Sequence, residues 1–265
     1  MPGRTGARGA GRPGGLTTID LGRRQAYGPV WDLQKAIVAA RHAGRGRDVL
    51  LLVEHEPVYT LGRHGRPDHL VWDERRRADE GIAFYRIDRG GDVTYHGPGQ
   101  IVGYPILDLR ALGLGVREYV ERLEAGLIAA CADFGVEARV IDGLPGVWVG
   151  DAKVAAIGIR CSRGVTSHGF ALNVSTNLQH FDGIVPCGLS DRGVTSLERE
   201  LGRSPGWAEV ARSVAHRVAV ALGFDDAHWA PAERLDWLPQ PGLPWAAGAG
   251  GGTGEDRSAP EQVAQ

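Results

Sequence analysis

The sequence predicts an α+β fold in which a mainly antiparallel or mixed β-sheet is backed by helices. Three observations lead to this prediction. Several strand-like segments follow one another closely, a few longer segments have amphipathic helical spacing, and the regular strand–helix alternation of parallel βαβ units is missing. We therefore expect helices packed against one sheet rather than a doubly wound fold.

Three segments have helical spacing. The clearest is Val116 to Phe134, where apolar residues recur every three or four positions and Gly135 follows the last of them. Trp207 to Leu222 and Trp31 to Ala43 are the other helix candidates. The strand candidates are Asp48 to His55, Ile82 to Asp88, Ile101 to Leu109, Ala138 to Ile141, Gly146 to Val149, Lys153 to Cys161 and Val165 to Val174.

Composition predicts one domain with polar extensions. Residues 1–15 and 242–265 are rich in glycine, proline and alanine, so we expect disorder there and a single domain over residues 16–241. The 30 Lys and Arg nearly balance the 32 Asp and Glu, which disfavours bulk nucleic acid or an anionic membrane as the main partner. The sequence has neither a secretory signal nor a run of about 18 apolar residues, so a cytoplasmic location is expected.

The three cysteines differ in their surroundings. They form no CxxC motif or Cys/His cluster, which disfavours disulfides and a zinc site. Cys131 and Cys161 lie in apolar rows and are expected in the core. Cys187 instead lies between Pro186 and Gly188, in a turn-prone loop that can expose a thiol and direct backbone N–H groups at an oxyanion.

Only two of the basic residues are lysines, Lys35 and Lys153. Strand alternation predicts that Lys153 shares a face with the apolar residues at every second position up to Cys161. Desolvation there favours a neutral amine, although such a side chain can also extend its ammonium to water. Lys153 and Cys187 are therefore a candidate base and nucleophile, a pair that suggests acyl transfer.

The segment from Arg89 to Gln100, RGGDVTYHGPGQ, combines paired glycines with polar side chains. Glycines let the backbone approach a ligand closely, and side chains such as Thr94 and His96 offer donors and acceptors. The segment is neither a P-loop nor a Rossmann loop, and a simple glycine-rich hairpin is the alternative. His168 shares its predicted strand face with Phe170, so a core role and a site role both remain open.

Four collinear motifs, RGGDVTYHGPGQIVGYPIL, PGVWVGDAKVAAIGIR, HGFALNV and FDGIVPCG, closely resemble those of the lipoyl(octanoyl) transferases. The resemblance covers roughly Val53 to Leu197. It implies a biotin/lipoate protein ligase-like fold and a catalytic dyad of Cys187 and Lys153. The acyl-binding residues that it implies are Arg89, Gly90, Gly91, Asp92, Val93, Thr94, Tyr95, His96, Ala156, Ile157, Gly158, Gly169, Phe170 and Ala171.

That family transfers octanoyl from octanoyl-acyl carrier protein to lysines of lipoyl domains. The implied partners are therefore this donor and, as acceptors, the lipoyl domains of 2-oxoacid dehydrogenase complexes and the glycine cleavage H protein. The implied route is a thioester on Cys187, with Lys153 assisting proton removal, and it requires no cofactor or metal. Arginines such as Arg63 and Arg75 could steer an acidic carrier, but a solvated charged face explains them better.

Three alternatives remain at this stage. An ATP-dependent lipoate or biotin ligase should tolerate loss of Cys187, and those ligases have a third glycine at the position of Asp92. A non-catalytic module that binds acyl carriers or lipoyl domains would form no thioester. A thioesterase, in which water replaces the amine, is the third alternative.

Overall fold

The computed structural model describes residues 14–185 and 192–238. The helices within this part of the chain are α1 (Tyr27–His42), α2 (Glu74–Asp79), α3 (Val116–Ala132), α4 (Leu197–Leu201) and α5 (Trp207–Ala221). The strands are β1 (Leu16–Asp20), β2 (Val49–Val53), β3 (Val58–Leu61), β4 (Ala83–Arg86), β5 (Val93–His96), β6 (Gln100–Ile106), β7 (Arg139–Ile141), β8 (Leu144–Val149), β9 (Ala152–Ser162), β10 (Val165–Asn173), β11 (Gly193–Val194) and β12 (Ala227–Trp229).

The strands form a large mixed sheet and a small one. The order in the large sheet is β12-β1-β2-β6-β10-β9-β8-β7, with β11 paired to β9. From β2 to β7 the neighbouring strands are antiparallel, whereas β1 runs parallel to β2 and β12. The small sheet has the order β4-β3-β5. The predicted α+β class and the mixed, mainly antiparallel sheet are confirmed.

Helices cover both faces of the large sheet. On one face α3 and α5 pack over β9 and β10, and buried residues such as Leu127 and Val218 join this first core. On the other face α1 contributes Leu33 and Ile37 to a second core. Cys131 is fully buried in the first core, where burial raises the pKa of its thiol to about 12. Its predicted core role is confirmed.

Several elements differ from the sequence predictions. Helix α1 begins at Tyr27 rather than Trp31, because Pro29 falls in the first turn, where a backbone N–H has no intrahelical partner to lose. Strands β3 and β5 were not predicted: β3 has only four residues, and β5 lies inside the glycine-rich segment. Residues 1–13 and 239–265 lie outside the described chain, so disorder of the two extensions stays a prediction.

Within the described ranges, the structure contains no helix that is both long enough and apolar enough to cross a membrane.

The contact between α3 and α5 depends on Gly126. A Cβ at Gly126 would lie 2.9 Å from the backbone Cα of Val218. Helix propensity alone favours alanine over glycine by about 1 kcal/mol. Forcing a methyl group against backbone costs about 1 to 3 kcal/mol, so Gly126→Ala should lower the free energy of unfolding. Urea denaturation should show a decreased midpoint.

The matched control is the exposed neighbour Ala125. Ala125→Gly should destabilise by about 1 kcal/mol through propensity alone. A higher denaturation midpoint for Gly126→Ala would contradict the close helix contact.

Candidate active site

A cavity of about 60 Å³ lies between β5 of the small sheet and β6, β9 and β10 of the large sheet. The predicted site residues that line it are Arg89, Gly91, Asp92, Val93, Thr94, His96, Lys153, Ala156, Ile157, Gly158, Gly169, Phe170 and Ala171. The structure therefore brings three separate sequence motifs to one site. Four further residues line it that the resemblance did not assign to the acyl-binding set, namely Tyr27, Val102, Tyr104 and His168, for which the sequence left a core role and a site role open.

Lys153 reaches this cavity because of a β-bulge. In the pairing of β8 with β9, Val147 lies opposite Ala155 but Trp148 lies opposite Lys153, so β9 carries one extra residue at Val154. Ala155 then belongs to the first core, whereas Lys153 lines the cavity. The prediction that Lys153 continues the apolar row ending at Cys161 is wrong, because a bulge shifts the alternation of the strand.

The surroundings of Lys153 hold its side chain in place. The Nζ atom lies 4.7 Å from the centre of the Trp148 ring, and the electron-rich face of an indole attracts a cation. Gly146 faces the lysine stem: a Cβ there would lie 3.3 Å from Cε of Lys153. On the opposite edge, Val194 pairs with Lys153, and Thr195 N donates to the Lys153 carbonyl over 3.0 Å.

Arg89 anchors the glycine-rich turn. Its buried guanidinium donates to the Thr60 carbonyl over 2.7 Å and to the Thr60 hydroxyl over 2.9 Å. Gly90 N donates to the Ile159 carbonyl over 2.8 Å, which joins the turn to β9. Gly90 thus supports the cavity without lining it. Asp92 lines the cavity and accepts hydrogen bonds from the turn before α2, including a short contact with His69.

Tyr95 does not line the cavity. Its ring packs in a third core beside Tyr59 and Phe181, and its hydroxyl lies 2.7 Å from Nδ1 of His180. The side chains of adjacent strand residues point to opposite faces, so Thr94 and His96 face the cavity while Tyr95 faces away. The acyl-binding role implied for Tyr95 is therefore not supported by direct contact.

His96 is buried, and hydrogen bonds fix its tautomer. Both N–H groups of Gln100 are used, by the Tyr95 carbonyl and by Asn173 Oδ1. Gln100 Oε1 must therefore accept from His96 Nδ1 over 2.8 Å, which leaves Nε2 of His96 as an acceptor. Burial, assisted by nearby His55, lowers the pKa of His96 to about 3, so the ring is neutral at physiological pH.

A second fixed histidine orients Tyr104. His55 Nδ1 donates to the Gln25 carbonyl over 3.0 Å, so Nε2 must accept from the Tyr104 hydroxyl over 2.8 Å. Burial lowers the pKa of His55 to about 4. The Tyr104 hydroxyl has therefore used its proton on His55 and is left as an acceptor for any other partner. A tyrosine in the mainly apolar β6 is the sequence signal that could have identified it.

The paired glycines of β9 and β10 serve packing as well as access. Gly158 lies opposite Gly169 in the antiparallel ladder. A Cβ at Gly169 would lie 2.1 Å from the Gly103 carbonyl, and one at Gly158 would lie 3.0 Å from Cδ of Arg89. These glycines therefore do more than leave room for a substrate, since protein atoms occupy part of that space.

Two of the three cysteines lie within the described residues, and of these Cys131 is in the core, whereas Cys161 only packs against it. Cys161 is half-buried and packs against the first core. Cys187 lies outside the described residues, so its predicted role stays a prediction. In residues 14–185 and 192–238 no group of three or more His, Cys, Asp or Glu side chains is arranged to hold a metal ion.

Comparison with known proteins identifies the family. Residues 26–219 match the family described as lipoyl protein ligase A/B catalytic domain. The chain belongs to this family. An octanoyltransferase of Acidobacterium capsulatum is 47% identical over 240 residues, covering 86% of this chain and 94% of that protein. An octanoyltransferase of Chloroflexus aurantiacus is 48% identical over 213 residues, covering 79% of this chain and 95% of that protein. The predicted family and the acyltransferase class are confirmed.

Solved structures share the fold at much lower identity. The bi-partite lipoate protein ligase of Thermoplasma acidophilum has a TM-score of 0.64 and 14% identity, covering 84% of this chain and 90% of its own. A lipoate-protein ligase A bound with ATP has a TM-score of 0.63 and 15% identity, covering 85% of this chain and 92% of that protein. The predicted lipoate ligase fold is confirmed in this family member.

The neutral buried histidines predict acid sensitivity. A histidine whose folded pKa lies near 3 takes up its proton first in the unfolded chain, near pH 6.5. The unfolded state then binds more protons, so the free energy of unfolding falls as pH drops below 6.5. Between pH 7 and pH 5 the titration of His96 should lower the free energy of unfolding by an amount on the order of 2 kcal/mol. Urea denaturation across this range measures it.

The variant His96→Asn removes this contribution, so its stability should fall less steeply with acid than that of the wild type. The matched control is His64→Asn at an exposed turn position, which should leave the slope unchanged. Equal slopes for His96→Asn and wild type would show that His96 titrates alike in both states.

Proposed function

We propose that this chain transfers an octanoyl group from octanoyl-acyl carrier protein to the lysine of lipoyl domains, through a thioester on Cys187. The observation that carries the proposal is Lys153, which the β9 bulge directs into a cavity with apolar and glycine walls. Relatives with 46–50% identity are octanoyltransferases, which supports octanoyl as the transferred group. The acceptors are the lipoyl domains of 2-oxoacid dehydrogenase complexes and the glycine cleavage H protein.

The described residues that flank Cys187 support its pairing with Lys153. Arg192 follows Cys187 by five residues, a stretch that spans at most about 17 Å. The guanidinium carbon of Arg192 lies 5.7 Å from the centre of the Trp148 ring, the same ring that Lys153 contacts. Strand β11 then runs beside Lys153. The described chain from Arg192 to Val194 therefore lies beside the lysine, within five residues of Cys187 in sequence.

The first step forms the acyl-enzyme. The Cys187 thiolate attacks the thioester carbonyl of the donor, and backbone N–H groups stabilise the oxyanion. The new S–C bond forms as the bond to the carrier's sulfur breaks, and the carrier leaves as a thiolate that takes up the proton released by Cys187. A free thiol is only a few per cent thiolate at pH 7, so the nitrogen of Lys153 is needed to increase that fraction.

The second step forms the amide. The acceptor lysine attacks the thioester on Cys187, its N–C bond replaces the S–C bond, and its proton passes through Lys153. A thioester already carries the energy for amide formation, so ATP is not consumed. About six buried methylenes can contribute roughly 5 kcal/mol of apolar transfer, enough to hold the acyl chain between the two steps.

The ATP-dependent ligase is the second candidate, and the observations favour it less. Similarity to lipoate ligases is at 14–15% identity and concerns the fold alone. The glycine-rich turn has Asp92 where those ligases have a third glycine, and Asp92 accepts from Arg66 N over 3.2 Å. We also propose that the enzyme works in the cytoplasm, where reducing conditions keep Cys187 a thiol.

Cys187 should carry the acyl group. After wild-type protein is mixed with octanoyl-acyl carrier protein and no ATP, intact-mass spectrometry should show one octanoyl adduct that hydroxylamine removes. Cys187→Ala should show none, while Cys131→Ala, the control in the core, should retain it. An adduct of equal yield on Cys187→Ala would place the nucleophile elsewhere. Acylation of a lipoyl domain only when ATP and free octanoate are supplied would support the ligase.

Lys153 should act through its proton. Lys153→Ala should slow acylation by about 100-fold or more and shift the pH–rate profile upward, because the thiol must then ionise unaided. Lys153→Arg separates charge from proton transfer, since arginine keeps a cation beside Trp148 but does not release its proton. It should restore ionisation of the thiol but not transfer to the lipoyl domain. Stopped-flow measurement of each half-reaction tests this. An unchanged pH–rate profile of acylation in Lys153→Ala would exclude Lys153 as the proton-transfer group.

A further inference from the structure

His168 occupies the far end of the acyl cavity from Lys153. Both residues line the same cavity, and His168 lies opposite Ile159 in the β9–β10 ladder, next to the facing pair Gly158 and Gly169. Ile159 follows Lys153 by six steps along β9, one of which is taken up by the bulge, and the five regular steps at about 3.3 Å separate the two Cα atoms by about 16 Å. The stem of Lys153 extends past Gly146 within this distance, so the space between its ammonium and His168 is shorter than the Cα separation. An acyl chain that starts beside Lys153 therefore extends toward His168.

His168 and Asp88 form a partition between two spaces. The imidazole Nε2 donates to Oδ1 of Asp88 over 2.8 Å, and Arg160 contacts the second carboxylate oxygen. Asp88 and Arg160 line a separate groove of about 370 Å³ that runs along α1. His168 lines the cavity on the inner side. The hydrogen-bonded pair thus stands between a narrow acyl cavity and a much larger outer groove.

The partition is held rigidly. His168 has a φ of 55°, a left-handed conformation that is uncommon for residues with a side chain, within an otherwise extended strand. Its backbone N–H donates to Oε1 of the buried Gln34 over 2.9 Å. The side chain is 2% exposed, and the bond to Asp88 fixes the ring. Because hydrogen bonds hold both the backbone and the side chain of His168, its ring cannot easily move aside to admit a longer acyl chain.

The partition is also polar. Because Nε2 donates to Asp88, Nδ1 of His168 carries a lone pair, and within residues 14–185 and 192–238 this buried atom has no hydrogen-bond partner. Methylenes that reach the imidazole therefore meet a polar ring, from which they gain less than from apolar walls such as Val102 and Ala171. Both shape and polarity oppose longer chains.

We propose that His168, held by Asp88, is the end wall of the acyl cavity and restricts the donor to acyl chains of medium length. The inference rests on the acyl transfer proposed above and concerns its selectivity. It makes His168 a specificity-determining residue and Asp88 its positioning residue.

The test compares kcat/KM for octanoyl-, decanoyl- and dodecanoyl-acyl carrier protein with one lipoyl domain, read as acylated acceptor by mass spectrometry. His168→Gly removes the ring and suits the positive φ. It should raise the dodecanoyl-to-octanoyl ratio at least tenfold. Asp88→Ala, at a side chain that is one-third exposed, should raise the ratio less and in the same direction. His64→Gly, in an exposed turn, is the matched control and should keep the wild-type ratio.

An unchanged ratio in His168→Gly would overturn the proposal. If that variant does not fold, as judged by circular dichroism, an unchanged ratio in Asp88→Ala would overturn it equally. Wild-type protein that uses dodecanoyl and octanoyl donors equally well would also exclude an end wall. Failure of the wild type to acylate the lipoyl domain from any donor is a different result, because it removes the acyl transfer itself and not its selectivity.

Discussion

The antiparallel pairing of β9 with β10 is the constraint on which the site depends. Its register sets Gly158 opposite Gly169 and Ala156 opposite Ala171, so two motifs that lie apart in sequence form one cavity wall. The bulge at Val154 then turns Lys153 to the cavity while Ala155 stays in the core. Without that one extra residue the alternation of the strand would leave the lysine among apolar side chains, where an unpaired charge is costly. The same ladder thus supplies both one wall of the cavity and the lysine that we propose as the proton-transfer group.

A continuous set of hydrogen bonds connects the other side of the cavity to the lysine. His96 donates to Gln100, Gln100 donates to Asn173, and Asn173 donates to the Thr195 carbonyl over 2.9 Å. Thr195 N in turn donates to the Lys153 carbonyl. Every member has a defined donor or acceptor role, and a satisfied buried network of this kind fixes one arrangement rather than several. The positions of His96 and Lys153 are therefore coupled through the backbone, although the two side chains come from different sheets.

Sequence reasoning predicted the fold class and most long elements, because amphipathic spacing and apolar runs report directly on which face is buried. It predicted the cavity residues by resemblance, and the structure brings nearly all of them together. It failed where tertiary structure overrides local pattern. The bulge in β9 has no signature in KVAAIGI. The orientation of Tyr95 away from the cavity was not predicted, because β5 was not recognised as a strand. Tyr27 and Tyr104 enter the site only through helix and sheet packing, which spacing along the chain does not reveal.

The two ends of the cavity have opposite requirements, and the structure meets both with polar groups held by neighbours. At one end the proposed mechanism requires an amine that exchanges protons with a sulfur, and Lys153 there is half-buried beside β11. At the other end nothing reacts, and a fixed neutral ring suffices. Burial lowers the pKa of His168 against the opposing attraction of Asp88, so the imidazole stays uncharged and adds no further positive charge to the cavity that Arg89 and Lys153 already line. In the proposed mechanism the apolar walls between the two ends hold the acyl chain, which assigns the chemistry to the residues at one end and the selectivity to those at the other.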